Sequence, residues 1–221
     1  VSSTNLWAQN TTSTKKTASA KKSQNTKSKK VRATTTRAKA EAAEEKRPSF
    51  AAAMGLRGNH DDLNLKSSVA LIVDRQTHEV LFEKNSHAAL PIASITKLMT
   101  SLVVLDAQLP FDDQIVIHQD DVNAYPGRTR SRVTEGARMT REQALILALM
   151  SSENRAASAL GRNYPGGLSA FVIAMNEKAH ALGMSSSHFV DSTGLHSENV
   201  STAADLSKMV RAAYNYPQIR Q

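Results

Sequence analysis

The sequence contains no cysteine, which excludes disulfide scaffolds and thiolate metal sites. No apolar run approaches the roughly 18–20 residues of a membrane span. Beyond residue 47 there is also no excess of charge of either sign. The 221 residues carry a formal charge of +8, but residues 1–47 hold 12 Lys+Arg against 3 Asp+Glu, a net of +9. The other 174 residues hold 16 against 17, a net of −1. The basicity belongs to a tail, and the body is nearly neutral, so a nucleic-acid partner is not expected. The histidines show no paired ligand spacing such as H-x-x-x-H, and no metal or other cofactor is expected.

What is present begins with that tail. Residues 1–47 are mostly Ser, Thr, Lys, Ala, Asn and Arg, too little apolar surface to offset the entropy of ordering. Residues 1–62 are therefore read as a basic, disordered tail and linker, with helix propensity at Ala38–Lys46. Such a tail serves as a solvated tether, or makes weak electrostatic contact with an anionic polymer or membrane surface. The first residue is Val1 and no apolar leader precedes the tail. Either a signal peptide has been removed or the sequence is a fragment.

Pattern begins near Leu63. Ser68–Asp74 (SVALIVD) and Glu79–Glu83 (EVLFE) read as two strands joined by a four-residue connection, a hairpin. His78 falls where such a turn requires positive φ. Pro91 and Ser94 then punctuate a helix start, and Ile95, Leu98, Met99, Leu102 and Leu105 recur at helical spacing. Ser94 and Lys97 are three apart and share one face, and Ser101 extends the polar stripe. A serine hydroxyl is a poor nucleophile until something takes its proton. A lysine does so where burial leaves it neutral. On its own, S-x-x-K occurs by chance in many chains and reads first as an N-cap serine followed by a solvent-facing lysine.

Thr140–Met150 (TREQALILALM) carries a capping box at Thr140 and Gln143 and a run, Ala144–Met150, that implies a helix buried on most sides. It stops at Ser151-Ser152-Glu153-Asn154. Polar residues ending a buried helix must find partners or line a cleft. The Ser152 hydroxyl suits a proton relay to a leaving amine, and the Asn154 amide suits orienting the lysine or a substrate peptide. Two more helices follow. One spans Leu168–Leu182 and stops at Gly183; the other starts at Thr202 with Leu206, Met209, Val210 and Ala213 on one side.

P-x-A-S-I-T-K followed by A-L-M-S-S-E-N-R-A-A resembles the low-molecular-mass penicillin-binding proteins, the D-alanyl-D-alanine carboxypeptidase/endopeptidase family. The D-alanyl-D-alanine endopeptidase branch is the best match. The resemblance runs from about Leu63 to Gln221 and includes Tyr164–Leu168 and Phe189–Leu195. It implies an α+β fold, an antiparallel sheet with flanking helices and a helical lobe, of β-lactamase/D,D-peptidase type. It also implies Ser94 as acylated nucleophile, Lys97 as its proton acceptor, and Ser152 and Asn154 as the second catalytic element. Peptidoglycan peptides would be substrates, β-lactam antibiotics acylating analogues, and the compartment periplasmic or otherwise exported. The family's third element, K-T-G, does not occur in the sequence. By resemblance, residues 63–221 correspond to the first two strands and the lobe, with three strands to follow. The chain is expected to be C-terminally incomplete, poorly soluble or molten and inactive when expressed alone. Two other functions share the motifs: a serine β-lactamase, whose E-x-x-L-N context is absent here, and a non-catalytic scaffold of the same fold.

Overall fold

The computed structural model describes residues 48–58, 61–124 and 131–220. The basic tail, with its expected disorder and its Ala38–Lys46 helix, lies outside the described residues. Ser49–Gln221 forms one compact unit. The described part of the expected linker makes specific contacts, so the body begins earlier than Leu63. A short helix α1 (Phe50–Ala53) is capped by Ser49. The Leu56 carbonyl accepts from Asn85 Nδ2, and the nearly buried Asp61 and Lys84 pair. Those partners lie far along the chain, beyond the reach of local sequence pattern.

The expected hairpin is β1 (Ala70–Val73) and β2 (Val80–Lys84), antiparallel, with Ala70 opposite Lys84 and Ile72 opposite Phe82. The register shifts between Ile72 and Val73. Asp74 builds the turn: its Oδ1 accepts from the N–H groups of Gln76 and Thr77, both at 2.7 Å. His78 takes φ +63°, the left-handed conformation the turn calls for. Two further antiparallel pairs were not anticipated. Strand β3 (Leu90–Pro91) pairs with β6 (Val200–Ser201), and β4 (Gln114–Val116) pairs with β5 (Arg138–Thr140). Each is two or three residues long, too short for alternation to register.

Helix α2 (Thr96–Asp106) is the axis of the lobe. Met99 and Leu102 are fully buried, and Val103, Val104 and Leu105 nearly so. Two adjacent β-branched valines are poor helix formers, and burial on several sides overrides that preference. Packed on it are α4 (Arg141–Met150), α5 (Asn154–Arg162), α6 (Gly167–Ala181) and α7 (Ala203–Tyr214). The capping box of α4 is present in both directions, Gln143 N–H to Thr140 Oγ1 at 3.1 Å and Thr140 N–H to Gln143 Oε1 at 2.9 Å. The expected burial of α4 on most sides is corrected: Ala144, Leu145 and Ala148 are buried, but Ile146 and Met150 stand in solvent. Gly183 ends the α6 region at φ +71°, and Thr202 caps α7 by accepting from Asp205 N–H. On α7, Met209 and Ala213 are buried as expected, whereas Val210 is exposed.

A short helix α3 (Gln119–Asn123) is tied to α5 through Asp121. The buried Asp121 carboxylate accepts from Ser158 Oγ at 2.8 Å and from Arg162 Nη2 at 2.7 Å. Arg162 also donates to the Val116 carbonyl of β4. The chain ends, among described residues, in α8 (Pro217–Arg220). None of the helices among the described residues is long and apolar enough to cross a membrane.

Candidate active site

Ser94 sits in a single 3-10 turn, Ala93–Ile95, that leads directly into α2. The residue before it, Ala93, adopts φ +47°. That conformation is disfavoured for a residue with a Cβ; Ser94, which follows it, is an exposed residue. One turn later Lys97 is 2% exposed. Its Nζ lies 3.1 Å from Ser94 Oγ, 2.7 Å from Asn154 Oδ1 and 2.8 Å from the Thr193 carbonyl oxygen.

Ser152 lies between α4 and α5 in the left-handed conformation, φ +51°. Glycine is the usual occupant of such a position, but glycine carries no hydroxyl. The Ser152 hydroxyl donates to Ser94 Oγ at 2.8 Å. Glu153 follows as the N-cap of α5, accepting from Arg155 N–H at 3.0 Å, and its other oxygen accepts from Ser131 Oγ at 3.0 Å. Asn154 is therefore the first residue of α5, held with its amide against the lysine. All four residues singled out in the sequence meet within hydrogen-bond distance. Ser101 does not join them: it is buried and donates to the Lys97 carbonyl of its own helix.

Three oxygens surround the Lys97 Nζ, those of Ser94, Asn154 and Thr193. An ammonium fills its three N–H bonds with these three oxygens. A neutral amine keeps two N–H bonds and one lone pair. Two of the partners are carbonyl oxygens, which only accept. In the neutral form the lone pair is left facing Ser94, whose hydroxyl alone among the three has a proton to give. Burial pushes the Lys97 amine down from its ordinary value to about 8, against the opposing pull of the Asp191 and Glu153 carboxylates. At pH 7 such a group is neutral about a tenth of the time.

Several residues of the site carried no recognised role in the sequence. Thr193 contributes a backbone carbonyl, which leaves no side-chain signature. Asn199 and Asp191 are buried and hold the loop that presents that carbonyl. Gly194 takes φ +83°, and a Cβ there would lie 1.8 Å from the Ala93 carbonyl oxygen. The loop thus packs backbone to backbone against the turn that carries Ser94. The run Phe189–Leu195 did stand out as part of the resemblance, and the glycine in it was the available signal.

Comparison with known proteins decides the family. Residues 57–221 match the peptidase S11 family, D-alanyl-D-alanine carboxypeptidase. The chain belongs to this family. It is 50% identical over 157 residues to the D-alanyl-D-alanine endopeptidase of Pseudomonas aeruginosa, covering 71% of this chain and 50% of that protein. It is 47% identical over 157 residues to the D-alanyl-D-alanine endopeptidase of Escherichia coli, with the same coverage of both chains. Among solved structures, a D-alanyl-D-alanine carboxypeptidase from Mycobacterium tuberculosis superposes with a TM-score of 0.61 at 32% identity, covering 68% of this chain and 57% of that one. The fold is the β-lactamase-like fold of the penicillin-binding D,D-peptidases. The chain spans about half the length of the two endopeptidases it matches.

Proposed function

We propose that the protein is a serine-type D-alanyl-D-alanine peptidase that hydrolyses peptidoglycan peptides through an acyl-enzyme on Ser94. The observation that carries this reading is the disposition of Lys97, whose two carbonyl partners leave its lone pair for the Ser94 hydroxyl. Lys97 takes the proton of Ser94 as its Oγ attacks the D-alanyl carbonyl carbon. The C–O bond forms, and the carbonyl oxygen takes the negative charge. Collapse breaks the C–N bond, and the leaving amine is protonated from Lys97 through Ser152, whose hydroxyl touches Ser94. Water then attacks the ester with Lys97 again as base, which frees the acid and restores Ser94. Asn154 fixes the Lys97 amine and, in this reading, lines the groove for the substrate peptide.

The leaving group separates the two activities of the family. The relatives at 50% and 47% identity are both named endopeptidases, which favours cross-linked peptides over terminal D-alanine as substrate. A penicillin acylates the same serine as a mimic of the D-alanyl-D-alanine end. The substrate places the protein outside the cytoplasm, in the periplasm or an equivalent exported location. There the tail, with its net charge of +9, has anionic wall polymers or lipid surfaces for weak, salt-sensitive contact. The test is incubation of the protein, extended to the length of its relatives, with a fluorescent penicillin and with cross-linked muropeptides. Stable labelling with cleavage of the cross-link supports the proposal. Rapid turnover of the penicillin identifies a β-lactamase, and absence of any labelling a non-catalytic scaffold.

A further inference from the structure

The Asp191–Gly194 loop is held on two sides. From within, one Asp191 carboxylate oxygen accepts from the Thr193 N–H at 3.0 Å and from the Thr193 hydroxyl, and the other accepts from the Gly194 N–H at 3.1 Å. From the opposite side, Asn199 accepts from the Asp191 N–H at 3.2 Å and donates to the Asp191 carbonyl and to Thr96 Oγ1, each at 3.0 Å. Thr100 of α2 donates to the Ser192 carbonyl at 2.7 Å. Thr96 and Thr100 flank Lys97 on its own helix. The consecutive peptide units of the loop are thereby fixed to the segment that carries the lysine, and the one carbonyl aimed at Nζ is that of Thr193. Asp191 itself is 4% exposed, out of reach of a substrate that approaches Ser94.

We propose that Asp191 is a positioning residue for Lys97. It folds the loop so that the Thr193 carbonyl holds one N–H of the amine, and its carboxylate, two residues before that carbonyl, is buried. This rests on Lys97 acting as the base for Ser94. The two effects work together. The carbonyl dictates which way the lone pair points. The carboxylate opposes the effect of burial, which on its own would leave the amine neutral but a weaker base. Glu153, at the start of α5, is the second carboxylate acting on Lys97. Of the charged groups on the helices packed around α2, Arg141 pairs with Asp113, Arg162 with Asp121, Lys178 with Asp106 and Lys208 with Asp205, and Arg155, next to Asn154, donates to the Val133 carbonyl; Glu142, Glu177 and Arg211 are the others.

Two variants separate charge from placement. Asp191→Asn removes the charge, and Asp191→Glu keeps it while displacing the loop. The readouts, both in the protein at the length of its relatives, are the pH titration of the Lys97 side chain by NMR of 13Cε-labelled lysine, and the pH profile of penicillin acylation. In Asp191→Asn the Lys97 midpoint should move down by on the order of one pH unit, and the rising limb of the acylation profile should move with it. In Asp191→Glu the midpoint should stay near that of the parent while the plateau rate falls severalfold. A folded Asp191→Asn protein with an unmoved Lys97 midpoint overturns the proposal, because a merely structural residue lowers the plateau alone. Should Asp191→Asn not fold, Asp191→Glu decides: acylation at the parental rate across the pH range overturns the proposal. The NMR titration does not depend on acylation, so failure of Lys97 as the base is read separately, as normal acylation by Lys97→Ala.

Discussion

The lobe around Lys97 and the β1–β2 hairpin are built to different standards. In the lobe, polar side chains are buried together and satisfied: every buried side-chain nitrogen and oxygen among the described residues has a partner, and Lys97, Asn199, Asp191, Thr96 and Thr100 form one network. At the hairpin, apolar side chains face outward. Ile72, Val80 and Leu81 are 47–60% exposed, and a cavity of about 1180 Å³ opens between β1 and α7, lined by Leu71, Val73, Leu206, Val210 and Tyr214. The constellation of Ser94, Lys97, Ser152 and Asn154 depends on helix packing and on one loop, and the hairpin contributes none of its contacts.

The most direct way to break this contrast is to remove the lysine. In the protein at the length of its relatives, Lys97→Ala should lower penicillin acylation by roughly 10²–10⁴-fold with the fold retained, measured as the rate of labelling beside a circular-dichroism melt. Next in size are substitutions that test lobe packing. Leu102→Ala, at a fully buried position of α2, should cost about 3 kcal/mol by urea denaturation. Gly194→Ala should cost a similar amount, about 3 kcal/mol, because a Cβ meets the Ala93 carbonyl oxygen at 1.8 Å in addition to the strain of φ +83°. It should also slow acylation, since that carbonyl belongs to the turn carrying Ser94. Gly183→Ala, with a similar φ and nothing within 4 Å of a new Cβ, should cost only about 1 kcal/mol. Equal costs for the two glycines would show that the close approach of loop and turn is not real.

A pH series sharpens the same contrast. With Lys97 at about 8, the neutral amine rises with pH, and acylation should increase roughly fiftyfold between pH 6 and pH 8 before levelling. Stability should follow the same direction over a different window. The folded value lies below that of a lysine in the unfolded chain, so the unfolded state binds the extra proton between about pH 8 and 10.5. Folding should become more favourable as pH rises through that interval. Lys97→Met should remove this dependence. The smallest effect is expected at the hairpin: Leu81→Ser, at an exposed position, should change the stability of this chain by less than about 0.5 kcal/mol.

Much of the site was legible because its side chains lie in two short runs. S-x-x-K places Ser94 and Lys97 together by helix geometry alone, and the abrupt end of the apolar stretch at Met150 marked Ser152 and Asn154 as residues in need of partners. The hairpin, the α4 capping box, the glycine stop after α6 and the Thr202 cap were legible for the same reason, since each is decided within a few residues. The third partner of Lys97 was not, because a carbonyl oxygen from 96 residues away has no residue type. Nor were the two- and three-residue strand pairs, or the contacts that draw Leu56 and Asp61 into the body, which are set by distant partners. The exposure of Ile146, Met150 and Val210 departs from the apolar pattern, which specifies that a residue can be buried and not that something covers it.

In the proposed reaction one serine, Ser94, is poised against one lysine, Lys97, whose neutral fraction takes its proton. Mass spectrometry of the protein, at the length of its relatives, after reaction with penicillin tests it most directly. A single penicilloyl adduct per chain, mapped by peptide digestion to Ser94 and absent from Lys97→Ala, is the predicted result. An adduct on Ser152, or full modification of Ser94 in the Lys97→Ala protein, would contradict it.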